Sequence, residues 1–98
     1  MTRSEAIDIL REHEADLRAR GVARAAIFGS VARGDAGPGS DLDILVELDS
    51  DAALDVYAYA GLKSYIAELF SGNVDVVNRD ALKPYLRAPS DRDAVYAF

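Results

Sequence analysis

Two aspartates, Asp41 and Asp43, sit two residues apart at the start of an alternating stretch that runs on through Leu48. In a strand that spacing puts both carboxylates on one face. A rise of about 3.3 Å per residue sets their β-carbons roughly 6 to 7 Å apart, so the carboxylates can converge on one ion or bridge two. Two-metal phosphoryl-transfer sites hold their ions roughly 3.5 to 4 Å apart, a separation this pair can span with one further carboxylate. Asp75 is the candidate, because it interrupts the otherwise apolar run from Val74 to Val77. Three carboxylates on neighbouring strands repel one another and tend to hold their protons until a cation arrives. The plainer reading makes Asp41 a turn residue, Asp43 part of a solvated strand face and Asp75 an edge charge that discourages aggregation.

Gly29-Ser30 follows an apolar stretch and leads into what reads as a single helical turn, Ser30 to Gly34. Backbone N–H groups, a hydroxyl and the positive end of a helix suit the terminal phosphates of a nucleotide, and glycine lets that backbone approach closely. Ser30 is equally open to being an ordinary helix cap. Arg33, one turn on, can meet a phosphate or neutralise Asp35.

These groups need a scaffold, and the pattern is that of alternating helices and strands, an α/β (α+β) class of chain. Thr2 and Glu5 form a possible capping box, after which Ile7, Leu10 and Leu17 lie on one helical stripe that should end at Gly21. Val22 to Phe28 reads as a strand, and the segment Asp35 to Ser40, with its glycines and proline, as a loop. Leu42, Ile44, Val46 and Leu48 give the next strand one apolar face. Ser50 can cap a helix whose broad apolar face includes Leu54, Tyr57, Leu62, Tyr65 and Ile66, with both tyrosines in the core. Gly72 closes it, Asn73 to Asn78 is a third strand, and Asp80 starts a short helix that Pro84 limits. Pro89, Ser90 and Asp91 mark one more turn before the apolar tail Ala94 to Phe98.

Composition narrows the chemistry further. The 98 residues fit one domain spanning 1–98, and since 17 of them are alanine the core should be small and well filled. There is no cysteine and one histidine, His13, which reads as a partly buried or surface imidazole. Any metal must therefore be held by carboxylate oxygen, which favours magnesium or manganese. The net charge of −6 disfavours tight binding of long DNA or RNA. No apolar run approaches the roughly 20 residues of a membrane span, and a cytoplasmic location is expected. The acidic cluster Glu47, Asp49, Asp51 and Asp55 reads as a solvated strand end and helix start that could also dock a basic partner.

Taken together, Gly29-Ser30, ten intervening residues and Asp41-Leu42-Asp43 resemble the signature of the DNA polymerase β-like nucleotidyltransferase superfamily. The extended segment IFGSVARGDAGPGSDLDILVEL, with Ala32-Arg33-Gly34 after the Gly-Ser pair, is similar to the minimal nucleotidyltransferase (MNT) family. NVDVVNRDALKPYLR and AVYAF resemble that family's later strand and C-terminal helix, although RAPSDRDAVYAF is short and proline-interrupted where the family has a continuous helix.

The resemblance implies a small mixed sheet of about three strands flanked by helices. It also implies transfer of a nucleoside monophosphate, AMP from ATP, onto a hydroxyl. By position, Gly29 and Ser30 would hold the nucleotide phosphates, Asp41 and Asp43 would bind Mg2+ or Mn2+, and Asp75 would complete the metal site and help activate the attacking hydroxyl. Such proteins pair with a HEPN-domain toxin, forming an assembly in which the acceptor is a tyrosine of the toxin and the transferase is the antitoxin. Two other readings stay open: transfer to a small molecule with help from a partner subunit, and a non-catalytic module that neutralises a partner by contact. Neither G-x-G-x-x-G nor G-x-x-x-x-G-K-[ST] occurs, which disfavours Rossmann and P-loop sites.

Overall fold

A computed structural model describes residues 1–35, 37, 41–51 and 54–98. Most of the predicted loop from Asp35 to Ser40 lies outside the described residues. Thr2 caps the first helix, α1 (Arg3–Glu12): its hydroxyl accepts from the Glu5 amide at 3.2 Å and donates to the Glu5 carboxylate at 3.1 Å.

The single helix expected up to Gly21 is broken at His13, and α2 (Glu14–Ala19) follows. The His13 ring explains the break. Its Nδ1 lies 2.8 Å from the Ile9 carbonyl, four residues back, and the His13 amide bonds to Leu10 instead. A side chain that occupies that carbonyl competes with the helical ladder.

Four strands form one mixed sheet: β1 (Val22–Phe28), β2 (Leu42–Leu48), β3 (Val74–Asn78) and β4 (Val95–Tyr96), in the order β3-β2-β1-β4. β1 runs antiparallel to β2 and to β4, and β2 runs parallel to β3. β1 occupies the residues expected of it. β4 corrects the expectation of about three strands and of a helical tail: Ala97 donates to Ala25 at 2.8 Å and Val95 is paired with Ile27. Two residues are too few to display a strand period in sequence.

On one face of the sheet, Ala25, Ile27, Ile44, Val46 and Val76 pack with Ala6 and Leu10 of α1, Leu17 of α2, and Leu62 and Ile66 of a fourth helix. The opposite face carries Phe28, Asp43 and Asp75 toward one end and the register partners Ala26 and Leu45 beside them, both buried. β2 therefore has apolar residues on both faces rather than one.

α3 (Gly29–Arg33) follows β1 directly, and α4 (Val56–Glu68) follows β2. Asp55, not Ser50, caps α4, accepting from the Ala58 amide at 2.7 Å. Tyr65 packs against the core, whereas Tyr57 is 87% exposed and does not. Asn78 caps a short 3-10 turn, Arg79–Ala81. Pro84 does not limit a helix but begins one, α5 (Pro84–Asp93), at the position where its missing N–H costs nothing. α5 continues through Pro89, so the proline interruption read from sequence does not end it. The amide absent at Pro89 would have bonded to Tyr85, whose surroundings are exposed enough for water to replace it. α5 packs against β1 and α3.

Candidate active site

At the end of β1 the chain turns sharply into α3 through Gly29, whose φ of 72° is left-handed and favours glycine. The antiparallel register sets Phe28 opposite Asp43, so the residue after Phe28 lies against the Asp43 side chain. A β-carbon at Gly29 would collide with Asp43 Oδ2 and lie 3.3 Å from its Cγ. Gly29 is thus fixed twice, by its backbone angle and by a carboxylate resting where a side chain would be. β-Sheet pairing brings together the two halves of the Gly-Ser and Asp-x-Asp pattern.

Ser30 is the second residue of α3, and the position before the helix belongs to Phe28, which makes no side-chain cap. The alternative role of Ser30 as the helix cap is therefore not what its position provides. Among the described residues none bonds to its hydroxyl.

Asp75 is the parallel-register partner of Asp43, and strands so paired lie about 4.8 Å apart. Asp41 immediately precedes β2 and Leu42 is tied to Asn73 by a 3.1 Å backbone bond, which anchors this end of the sheet. Burial raises the Asp43 pKa above the usual carboxylate range, and the charges of Asp75 and Asp41 raise it further, while Arg33 opposes them. Asp43 is therefore close enough to both other candidate carboxylates to sense their charge. Asp41 and Asp75 are exposed and Asp43 is half-buried.

Among the described residues, no three acidic or imidazole side chains are already drawn into a cage for an ion. The donor set fits a hard divalent ion in kind: it is all oxygen, one member is partly desolvated, and its charge is uncompensated apart from Arg33.

Of the two roles considered for Arg33, the pairing with Asp35 is present. Its Nε donates to Asp35 at 3.1 Å, and its Nη1 donates to Asp93 of α5 at 2.8 Å. Asp93 was not legible as a member of this neighbourhood, since it lies 60 residues away and in no recognisable motif. A separate cavity of about 570 Å3 lies at the opposite end of the strands, lined by Gly21, Asp49, Leu54 and Gly61 among others, and contains none of these acids.

The profile of the nucleotidyltransferase domain family matches residues 5–95. A Methanocaldococcus jannaschii protein provisionally named a protein adenylyltransferase is 38% identical over 97% of both chains. The protein adenylyltransferase MntA of Thermococcus cleftensis is 35% identical, over 98% of this chain and 96% of its own. Among solved structures, one assigned as a minimal nucleotidyltransferase is 36% identical and superposes with a TM-score of 0.76, covering 97% of this chain and 95% of the other. The complex of a tri-AMPylated Shewanella oneidensis HEPN toxin with MNT antitoxin matches at a TM-score of 0.65 and 20% identity, covering 94% of this chain and 71% of the other. That last likeness is one of fold.

Proposed function

The chain belongs to the nucleotidyltransferase domain family, and from that premise we propose that it transfers AMP from ATP to a tyrosine hydroxyl of a HEPN-domain toxin, acting as the antitoxin. The observation that carries this reading is the Phe28–Asp43 register, which places the Gly29 turn against one carboxylate and leaves a second, Asp75, directly across the sheet. A phosphate-holding backbone and a set of metal-holding oxygens on one sheet edge are the two parts that phosphoryl transfer requires.

In this reading the Gly29 and Ser30 amides and the Ser30 hydroxyl hold the triphosphate, with Arg33 beside them. Asp41, Asp43 and Asp75 would hold divalent ions, magnesium or manganese, which supply charge neutralisation at the phosphates. Asp75, exposed on the outer strand, would accept the proton of an incoming hydroxyl. The acceptor oxygen then forms a bond to the α-phosphorus as the α–β phosphoanhydride bond breaks and pyrophosphate leaves. The two named protein adenylyltransferases and the AMP-modified HEPN toxin support transfer of AMP to a protein and the choice of partner.

Incubation with α-labelled ATP, magnesium and a cognate HEPN protein tests the proposal directly. Label should appear on a partner tyrosine, and a Tyr→Phe change there should remove it. A partner that is neutralised without acquiring label would overturn the catalytic reading in favour of contact alone, and label on a small molecule would overturn the choice of acceptor.

A further inference from the structure

We infer that Asp93 is a positioning residue, which reaches from the last residue of α5 to hold the Arg33 guanidinium in place beside the Gly29-Ser30 turn. The inference rests on the proposed nucleotide site and assigns it a component from an element that the Gly-Ser and Asp-x-Asp pattern does not contain. Arg33 is gripped at two points, Nε by Asp35 at 3.1 Å and Nη1 by Asp93 at 2.8 Å. A guanidinium has five N–H donors in a rigid plane, so two fixed contacts set the direction of the remainder. Among the described residues none accepts from Nη2, and that arm is left for a phosphate oxygen.

Helix electrostatics argue against reading the pair as a simple surface tether. Asp93 terminates α5, where the macrodipole disfavours negative charge, so the carboxylate is misplaced for the stability of its own helix. Asp91, in the same turn, has the same problem and is matched by a bidentate Arg79 at 2.7 and 2.9 Å, whose charge otherwise faces Glu47 and Tyr96. Asp93 differs in what its arginine faces, because the Arg33 charge reaches Asp43. Asp35 alone, on a short loop, would leave the guanidinium free to pivot about one contact. Asp93 adds a second anchor from a separate element that packs on α3.

The test compares Asp93→Ala with Asp91→Ala, Arg33→Ala and the Arg33→Ala/Asp93→Ala double variant, measuring MgATP binding by calorimetry and thermal stability in parallel. Asp93→Ala should weaken MgATP binding roughly five- to tenfold, as expected for loss of an ionic hydrogen bond's orienting effect. Asp91→Ala should lower thermal stability and leave binding unchanged. In the Arg33→Ala background, Asp93→Ala should have no further effect on binding, whereas with Arg33 intact Asp93→Glu should keep more of the wild-type affinity than Asp93→Ala. Equal MgATP binding by wild type and Asp93→Ala, with Arg33→Ala still impaired, overturns the role of Asp93 while leaving the nucleotide site intact. A wild-type chain that does not bind MgATP overturns the site and this inference together.

Discussion

Asp43 and Asp75 are register partners on the two parallel strands of an otherwise antiparallel sheet, and their side chains emerge on the same face. Parallel pairing is the reason they meet. The crossover through α4 returns the chain to the edge of β2 in the same direction, so the first third of β3 lies beside the first third of β2.

Removing charge from this pair should separate stability from activity. The Asp43 pKa is raised in the folded chain, so its contribution to stability is fully present below the unfolded value near 3.9 and is lost as pH rises through the folded value. At neutral pH in chelator the charge is a burden, and Asp43→Asn and Asp75→Asn should each unfold at the same temperature as wild type or slightly higher. Both should abolish transfer in excess magnesium. Asp8→Asn, at an exposed position on α1, should change neither. Full transfer by the Asp75 variant would remove that residue from the site.

Gly29→Ala should be costly for the fold as well as the site. The left-handed backbone and the collision with Asp43 together should destabilise by about 2 kcal/mol, within the range for a residue forced into a strained conformation. For a chain of this size that corresponds to a fall in Tm of roughly 8 to 16 °C. Ser30→Ala, in contrast, should leave Tm unchanged and weaken nucleotide binding only modestly, since the hydroxyl is one of several phosphate donors. Thermal denaturation of both variants decides the point.

ATP and metal should bind cooperatively. Three carboxylates supply fewer oxygens than two divalent ions need, so coordination positions remain that phosphate oxygens can fill. Calorimetry should show ATP affinity at least roughly tenfold weaker in chelator than in magnesium. Identical affinities would exclude a metal-bridged triphosphate.

An alkaline transition should report the opposite end of the sheet. Burial, followed by a 2.7 Å hydrogen bond to Glu47, pushes the Tyr96 phenol up to about 12. A raised folded pKa means this contribution is complete below the unfolded value near 10 and is lost as pH climbs toward 12. Stability measured across that window should decline in wild type, and the decline should be shallower in Tyr96→Phe.

The sequence disclosed most where chemistry and periodicity coincide. β1 was legible from Val22 to Phe28, and the alternation through Leu48 gave the strand from Leu42 on. Gly29 and Asp43 could be associated because the Gly-Ser and Asp-x-Asp spacing resembles a known signature. What escaped is what depends on a single competing bond or a distant contact. The break at His13 follows from one ring nitrogen on the Ile9 carbonyl. The capping of α4 by Asp55 rather than Ser50 is a choice between two good caps five positions apart. Tyr57 sits on the solvent side because helical phase is set by Leu62 and Ile66, which leave it facing outward although its side chain is apolar. Asp93 joined Arg33 only once α5 was folded back onto α3.

The two-residue strand β4 has a consequence for how this chain can be handled. Because Val95 and Tyr96 pair with Ile27 and Ala26, the strand that carries the Gly29 turn has a neighbour on each side over its second half. The seal is further pinned by Arg11, which donates to the Ala97 carbonyl at 2.8 Å. Clipping the chain before Val95 would turn β1 into an open edge, with amides and carbonyls free to recruit a strand from another molecule. Domain exchange or sheet-to-sheet aggregation would then begin at the strand that presents the phosphate turn, so a protease nick at this terminus would silence the protein by self-association before any catalytic group was touched.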